Sequence, residues 1–241
     1  MAFFPTGWQR WRIPLALMAW ALLVPAAPAA ELYFMAVFGS QRGVPTPPRL
    51  THSFAVFVKA TGEGPAIDRY QLEYHTISWM PQTLDVEIWR LLPEPGINLD
   101  LHATIRWALA EGQRVSMWGP FQIRQGLYDR ALCQIAHLNS GEVRYKAVDT
   151  GYPTERVSNC IHAVSDLSER NLRLRVASPG FGEVASYLIT RRLESWILNP
   201  QQIHYWVADR LGLGCYPIIH RELERGLFRW RHQFGAGEVT R

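Results

Sequence analysis

The apolar positions of this chain change their period along its length, and the changes predict the elements. Residues 32–38 form a short continuous apolar run closed by Gly39, the pattern of a strand buried on both faces. Residues 51–59 alternate instead. His52, Phe54, Val56 and Val58 fall on one face, and Ser53, Ala55 and Phe57 on the other. Residues 70–79 alternate again, with His75, Ile77 and Trp79 together, and a Gly-rich turn at 61–65 joins the two runs into an expected hairpin. Residues 84–92 read as extended.

Further along, the period lengthens to that of a helix. Asn98 is placed to cap a helix carrying Leu101, Ile105 and Leu109 and closed by Gly112. A second helix is expected over 123–139, with Ile123, Leu127, Ala131, Ile135 and Leu138 as its stripe. A strand at 143–148 and a turn at 149–153 lead to a third helix, with Ser158 as N-cap and Ile161 and Val164 as its apolar positions. A short strand at 172–176 and helices at 183–198 and 200–211 complete the pattern. The expected fold class is α+β, an antiparallel sheet packed on helices with a helical C-terminal extension over 179–241.

Composition adds the frame. The 241 residues are 48% hydrophobic and 19% charged, which suits a packed globular chain. Residues 1–29 read as a signal peptide: Arg10 and Arg12 precede an apolar core at 13–24, and Ala27, Pro28 and Ala29 fit a small-residue cleavage site. The expected location is therefore exported, periplasmic or secreted, with contact to a membrane or cell-envelope surface open. Net charge is +4 with no basic block, which argues against nucleic acid as a partner.

The three cysteines matter more if the chain is exported. An oxidising compartment favours pairing and leaves one thiol over. Cys133 falls off the apolar stripe of its helix and is available to bridge Cys215, which would leave Cys160 free; connectivity stays open at this level. Cys160 sits in the first turn of its helix, where unpaired N–H groups and the positive end of the dipole favour an anion. A thiol there is expected to ionise more readily than a free one. His162 is two residues along and turned about 200° away, so a base for Cys160 must come from elsewhere. His52 on its strand and His75 on the neighbouring strand are the candidates, as base and as orienting residue.

Asn159-Cys160-x-His162-x-Val164 resembles the motif around the nucleophile of lecithin:retinol acyltransferase-like proteins. The stretch from Thr51 to Val58 is similar to their His-bearing strand. The order of His, second polar residue and Cys resembles the circularly permuted NlpC-type papain-like superfamily over about residues 50–166, roughly half the chain, and the domain this implies spans 30–178. The resemblance implies a thiol hydrolase or acyltransferase with Cys160 as nucleophile, His52 as general base and His75 as orienting residue. Its substrate would be a cell-wall peptide or an acyl lipid, with an acyl-enzyme intermediate and no cofactor or metal. The alternatives are a non-catalytic exported binding or scaffold protein on the same fold, and a structural protein with Cys160 disulfide-bonded. Gly180, Gly182 and Ala185 only superficially match a dinucleotide fingerprint, since helices rather than a parallel strand are expected after them. His162, His204 and His220 with Cys160 match no compact zinc spacing.

Overall fold

The two apolar faces of one central strand decide the layering. The computed structural model of the chain describes residues 29–42, 51–153, 155–167 and 182–223. The expected leader, apart from Ala29, the strand at 172–176 and the boundary at 178/179 lie outside the described residues. Strand β1 (Ala30–Gln41) pairs antiparallel with β2 (Thr51–Gly62), and β2 pairs antiparallel with β3 (Gln71–Ile77), so the expected hairpin is present. On its other side β1 pairs with β6 (Arg114–Ile123), which pairs in parallel with β9 (Ile218–Arg221). The sheet order is β3-β2-β1-β6-β9. A smaller sheet of order β4-β5-β7-β8 is built from Trp79–Pro81, Glu94–Asn98, Arg144–Tyr145 and Val157–Ser158.

Alternate residues of the central strands feed two separate cores. Tyr33, Met35 and Val37 of β1, with Ala55 and Phe57 of β2, bury in the first core. There they meet Leu127 and Ala131 of α2 (Gln125–Leu138), Ile161 and Val164 of α3 (Cys160–Ser165), and Ala185 and Ile189 of α4 (Glu183–Leu193). Phe34, Ala36 and Phe38, with Phe54, Val56 and Val58, bury in the second core. This one is closed by Leu101, Ile105 and Ala108 of α1 (Leu101–Ala110) and by Val207 and Leu211 beside α5 (Tyr205–Arg210). Helices thus cover both faces of an antiparallel-dominated sheet, an α+β arrangement. Each fully buried Phe contributes roughly 1.5–3 kcal/mol to holding the layers together.

Several elements differ from the sequence reading. Strand β6 was not expected, because Gly119 and Pro120 interrupt its alternation. The register between β1 and β6 shifts between Met35 and Val37 opposite this pair, and a bulge is where a Pro can sit in a strand interior. The cap of α1 is Asp100, whose side chain accepts from the Ala103 N–H at 2.8 Å. Asn98 belongs to β5, and its amide instead bonds the Ser78 N–H and the Thr76 carbonyl. Residues 84–92 are an irregular loop rather than a strand. The stretch expected as a C-terminal helical extension contributes β9 to the main sheet, and α4 packs on β1 and β2.

Two glycines set how closely α4 approaches the sheet. A Cβ on Gly39 would stand 2.8 Å from both Glu183 Cα and Ser186 Oγ. Gly182, at the start of the helix, has φ of 59°, in the region only glycine adopts freely, and a Cβ there would meet Gln41 Oε1 at 2.8 Å. That close approach brings Glu183 into the sheet. Its buried carboxylate takes Arg114 Nε and Nη2 at 2.9 and 3.0 Å and Ser116 Oγ at 2.6 Å. The bidentate guanidinium and the hydroxyl compensate the removal of this charge from water. No helix of the described residues is long and apolar enough to cross a membrane.

Candidate functional site

Residues 157–165 turn from strand to helix at Asn159. Its side-chain oxygen accepts the His162 N–H at 2.8 Å, which makes Asn159 the N-cap and Cys160 the first helical residue. Ser158, expected as the cap, is one residue early: it pairs with Tyr145 in the smaller sheet, which holds it extended. The Asn159 amide nitrogen donates to Asp149 Oδ1 at 3.1 Å and to the Ala147 carbonyl at 3.3 Å. The other carboxylate oxygen, Asp149 Oδ2, lies 2.6 Å from His162 Nδ1. Asp149 therefore ties the 146–153 loop to both the cap and the first turn of α3 while itself only 2% exposed.

The Cys160 side chain packs against the first core, where α3 crosses β2. Strand β3 pairs with β2 only between Ala55 and Thr61, which leaves the stretch around Ser53 open on that edge. The Ser53 backbone N–H donates to the sulfur there, and the N–H groups of Cys160 and Ile161 also face it. Burial nevertheless dominates and pushes the thiol up to about 11, with the Asp149 charge acting in the same direction. The expected easy ionisation is not what this position produces: desolvation outweighs the N–H groups. The same surroundings push the Tyr145 phenol well above its ordinary value, first by burial and then by Cys160, Glu94 and Asp149.

His52 is placed on the opposite side of the sheet from Cys160. Its ring stacks on Phe54 at 5.6 Å, meets Trp107 edge-on at 5.9 Å, and bonds Ser78 Oγ through Nε2 at 2.9 Å. Phe54 and Trp107 belong to the second core, so the backbone of the sheet lies between imidazole and thiol. Burial lowers His52 from its ordinary 6.5 to about 3, and Nδ1 has no hydrogen-bond partner among the described residues. His75 stands opposite Phe57 on the Cys160 side, with Nε2 on Glu73 Oε1 at 2.9 Å. Phe57 is five residues from His52 along β2, about 17 Å at the rise of a strand, so His75 does not reach His52. The structure brings together Cys160, Asn159, Asp149, His162 and the Ser53 backbone, and it does not bring His52 or His75 to them.

Asn159, read only as part of the Cys160 motif, and Asp149, read only as a turn residue, have partial signals. Asn159 is a cap residue immediately before an apolar helical pattern, a signal shared with Ser158. Asp149 had none stronger than its place in a turn, because its partners come from ten and thirteen residues away. The bridge proposed between Cys133 and Cys215 is absent: all three cysteines are free, and Cys133 and Cys215 are exposed. His204 packs on Phe34 in the second core and His220 on Tyr205, away from Cys160. No group of three or more His, Cys, Asp or Glu among the described residues is placed to hold a metal ion. The helix start after Gly182 is closed by Gln41, whose Oε1 accepts the Glu183 N–H at 3.1 Å, where a dinucleotide phosphate would have to bind. Comparison of the chain with protein-family models, with curated proteins and with solved structures gave no match.

Proposed function

We propose that this chain is a non-catalytic binding or scaffold protein, exported by its leader, in which the Cys160 cluster braces the fold. The observation that carries this reading is the placement of Cys160 and His52 on opposite faces of β2. A thiol nucleophile needs a base within hydrogen-bond reach, about 2.6–3.2 Å, and a thiolate fraction at working pH. Here the imidazole is enclosed among Phe54, Trp107 and Ser78, and the thiol is held protonated by burial. His162, the nearest imidazole in sequence, is engaged by Asp149 through Nδ1. Asn159 and Asp149 close the start of α3, which is the work of a structural cap.

The test is the pH dependence of Cys160 alkylation in the full chain, with His52→Ala beside it. Slow alkylation at pH 7, rising only towards pH 11 and alike in both proteins, is the expected result. Rapid alkylation well below pH 8 that slows in His52→Ala would overturn the reading.

A second reading has one observation in its favour. The sulfur of Cys160 lies at a helix start and receives the Ser53 N–H, the kind of donor that stabilises a tetrahedral oxyanion in acyl transfer. On the papain-like reading, a movement of β2 would bring an imidazole to the thiol, and a peptide or acyl lipid would be the substrate. A stoichiometric acyl adduct on Cys160 from an activated ester at pH 7 would decide for this reading.

A further inference from the structure

Strand β3 is an edge of the main sheet, with β2 on one side only. Asn98 shows which of its main-chain groups face that edge. The Asn98 amide donates to the Thr76 carbonyl at 2.8 Å and accepts the Ser78 N–H at 2.7 Å, on the side away from β2. Successive residues of a strand turn their N–H and C=O groups to opposite sides. Leu72 and Tyr74 therefore face outward with Thr76, and Gln71, Glu73 and His75 turn theirs to β2. The outward groups of Leu72 and Tyr74 have no hydrogen-bond partner among the described residues. Side chains near the middle of this edge are open to solvent: Glu73 is 64% exposed and Tyr74 40%. Glu73 bonds His75 Nε2 at 2.9 Å, while Lys59, opposite it on β2, is taken by Glu31 at 2.6 Å.

We propose that β3 pairs with β3 of a second copy of this chain, antiparallel about a two-fold axis at Tyr74, so that the two main sheets become one. A charged residue in an edge strand resists pairing with any strand that leaves it unanswered. The chain's own β3 answers Glu73 in one register. Three antiparallel registers about the middle of the strand set outward main-chain groups opposite one another. With Tyr74 opposite the partner's Leu72, Glu73 lies against the partner's Glu73, a like-charge pair that destabilises. With Tyr74 opposite the partner's Thr76, His75 meets the partner's His75 and Glu73 meets the partner's Ile77. With Tyr74 opposite the partner's Tyr74, each Glu73 meets the partner's His75, and carboxylates alternate with imidazoles on one face of the joined sheet. That self-complementarity is what a two-fold interface requires, and it selects a second copy over an unrelated strand. In this register Tyr74 exchanges main-chain bonds with the partner's Tyr74, and the Thr76 N–H reaches the partner's Leu72 carbonyl. Asn98 occupies the edge beyond Thr76 and limits sliding. One short strand from each copy falls below the about 800 Å² per partner of a standard interface, so the dimer is expected to depend on concentration. The inference is independent of what Cys160 does.

The experiment is sedimentation equilibrium of the full chain over a concentration series. The wild type is expected to pass from monomer to dimer. Glu73→Lys sets a cation against an imidazole, and His75→Glu sets a carboxylate against a carboxylate; each is expected to weaken the dimer about tenfold or more. An equimolar mixture of the two variants, each matching the wild type by circular dichroism, is expected to dimerise again, because each then presents the opposite charge to the other at both contacts. Hydrogen exchange reads the same interface in the unsubstituted chain: the Tyr74 and Thr76 amides are expected to gain protection as concentration rises. A wild type still monomeric at about 0.5 mM, where even a millimolar dimer is populated, would overturn the proposal. So would a dimer that neither variant weakens, a mixture no more dimeric than its components, or Tyr74 and Thr76 amides whose exchange ignores concentration.

Discussion

His52 Nε2 lies 2.9 Å from Ser78 Oγ, inside the apolar core that faces away from Cys160. The pair is completed by Thr104, whose hydroxyl donates to the same Ser78 oxygen at 2.8 Å and so links β2 to α1. An imidazole enclosed in this way contributes to folding only while neutral, and this has a measurable consequence.

Burial lowers His52 from its ordinary 6.5 to about 3 in the folded chain. Above pH 6.5 the ring is neutral in both states and its contribution is fully present. Below 6.5 the unfolded chain takes up a proton that the folded chain refuses, so stability falls by about 1.4 kcal/mol per pH unit until pH 3. Between pH 6.5 and 5 that is a loss of about 2 kcal/mol, to be read from urea melts. Burial lowers His204 as well, in the same direction. His52→Gln should have a shallower slope over this window; an unchanged slope would refute the assignment.

The three thiols are expected to separate by reactivity. Cys133 and Cys215 are exposed and should react at once with a thiol reagent at pH 8, whereas Cys160, partly exposed and with its thiol pushed up by burial, should react slowly at that pH. Recovery of Cys133 and Cys215 in one disulfide-linked peptide would contradict the structure.

The Asp149 carboxylate should be worth more to stability than a turn residue. Asp149→Asn removes the charge that holds His162 and faces Cys160, and is expected to cost about 1.5–3 kcal/mol. Asn159→Ala, which removes the cap, is expected to cost about 1–2 kcal/mol. In Asp149→Asn the Cys160 alkylation profile should also move to lower pH, because a raising influence has gone. A profile that stays or moves upward would show that Asp149 does not act on the thiol.

Glu183 is buried beneath Arg114 and Ser116, with Arg221 Nη2 3.6 Å from its Oε2. Glu183→Gln leaves a guanidinium without its carboxylate and is expected to cost about 3–5 kcal/mol. Replacing Glu183 and Arg114 together by Met should recover much of that loss. A single variant within about 0.5 kcal/mol of the wild type would mean that the pair is solvated rather than buried.

The central strands were legible in the sequence because their pattern is local. The unbroken apolar run at 32–38 and the two faces read over 51–59 each belong to a strand buried between the two cores, and those faces appear as read. Strand β6 was hidden because Gly119 and Pro120 break its period at a bulge, and β9 because four residues carry too little pattern. The start of the Cys160 helix was legible to within one residue, since both Ser158 and Asn159 are cap residues and only the strand pairing of Ser158 separates them.

What the sequence by itself determined is the alternation that puts His52 on the Phe54 side of β2 and Ser53 on the Ala55 side. Only the tertiary structure decided which of those faces α3 would cover. It covers the Ser53 side, so the histidine that appeared suited to serve Cys160 is walled off by the sheet, and Asp149 and Asn159 meet α3 instead. The physical reason is that a period of two assigns a residue to a face, but which helix packs there depends on chain connections and on burial summed over distant elements. Burial also reversed the expected ionisation of the thiol, and burial is a property of the packed molecule rather than of any short stretch of it.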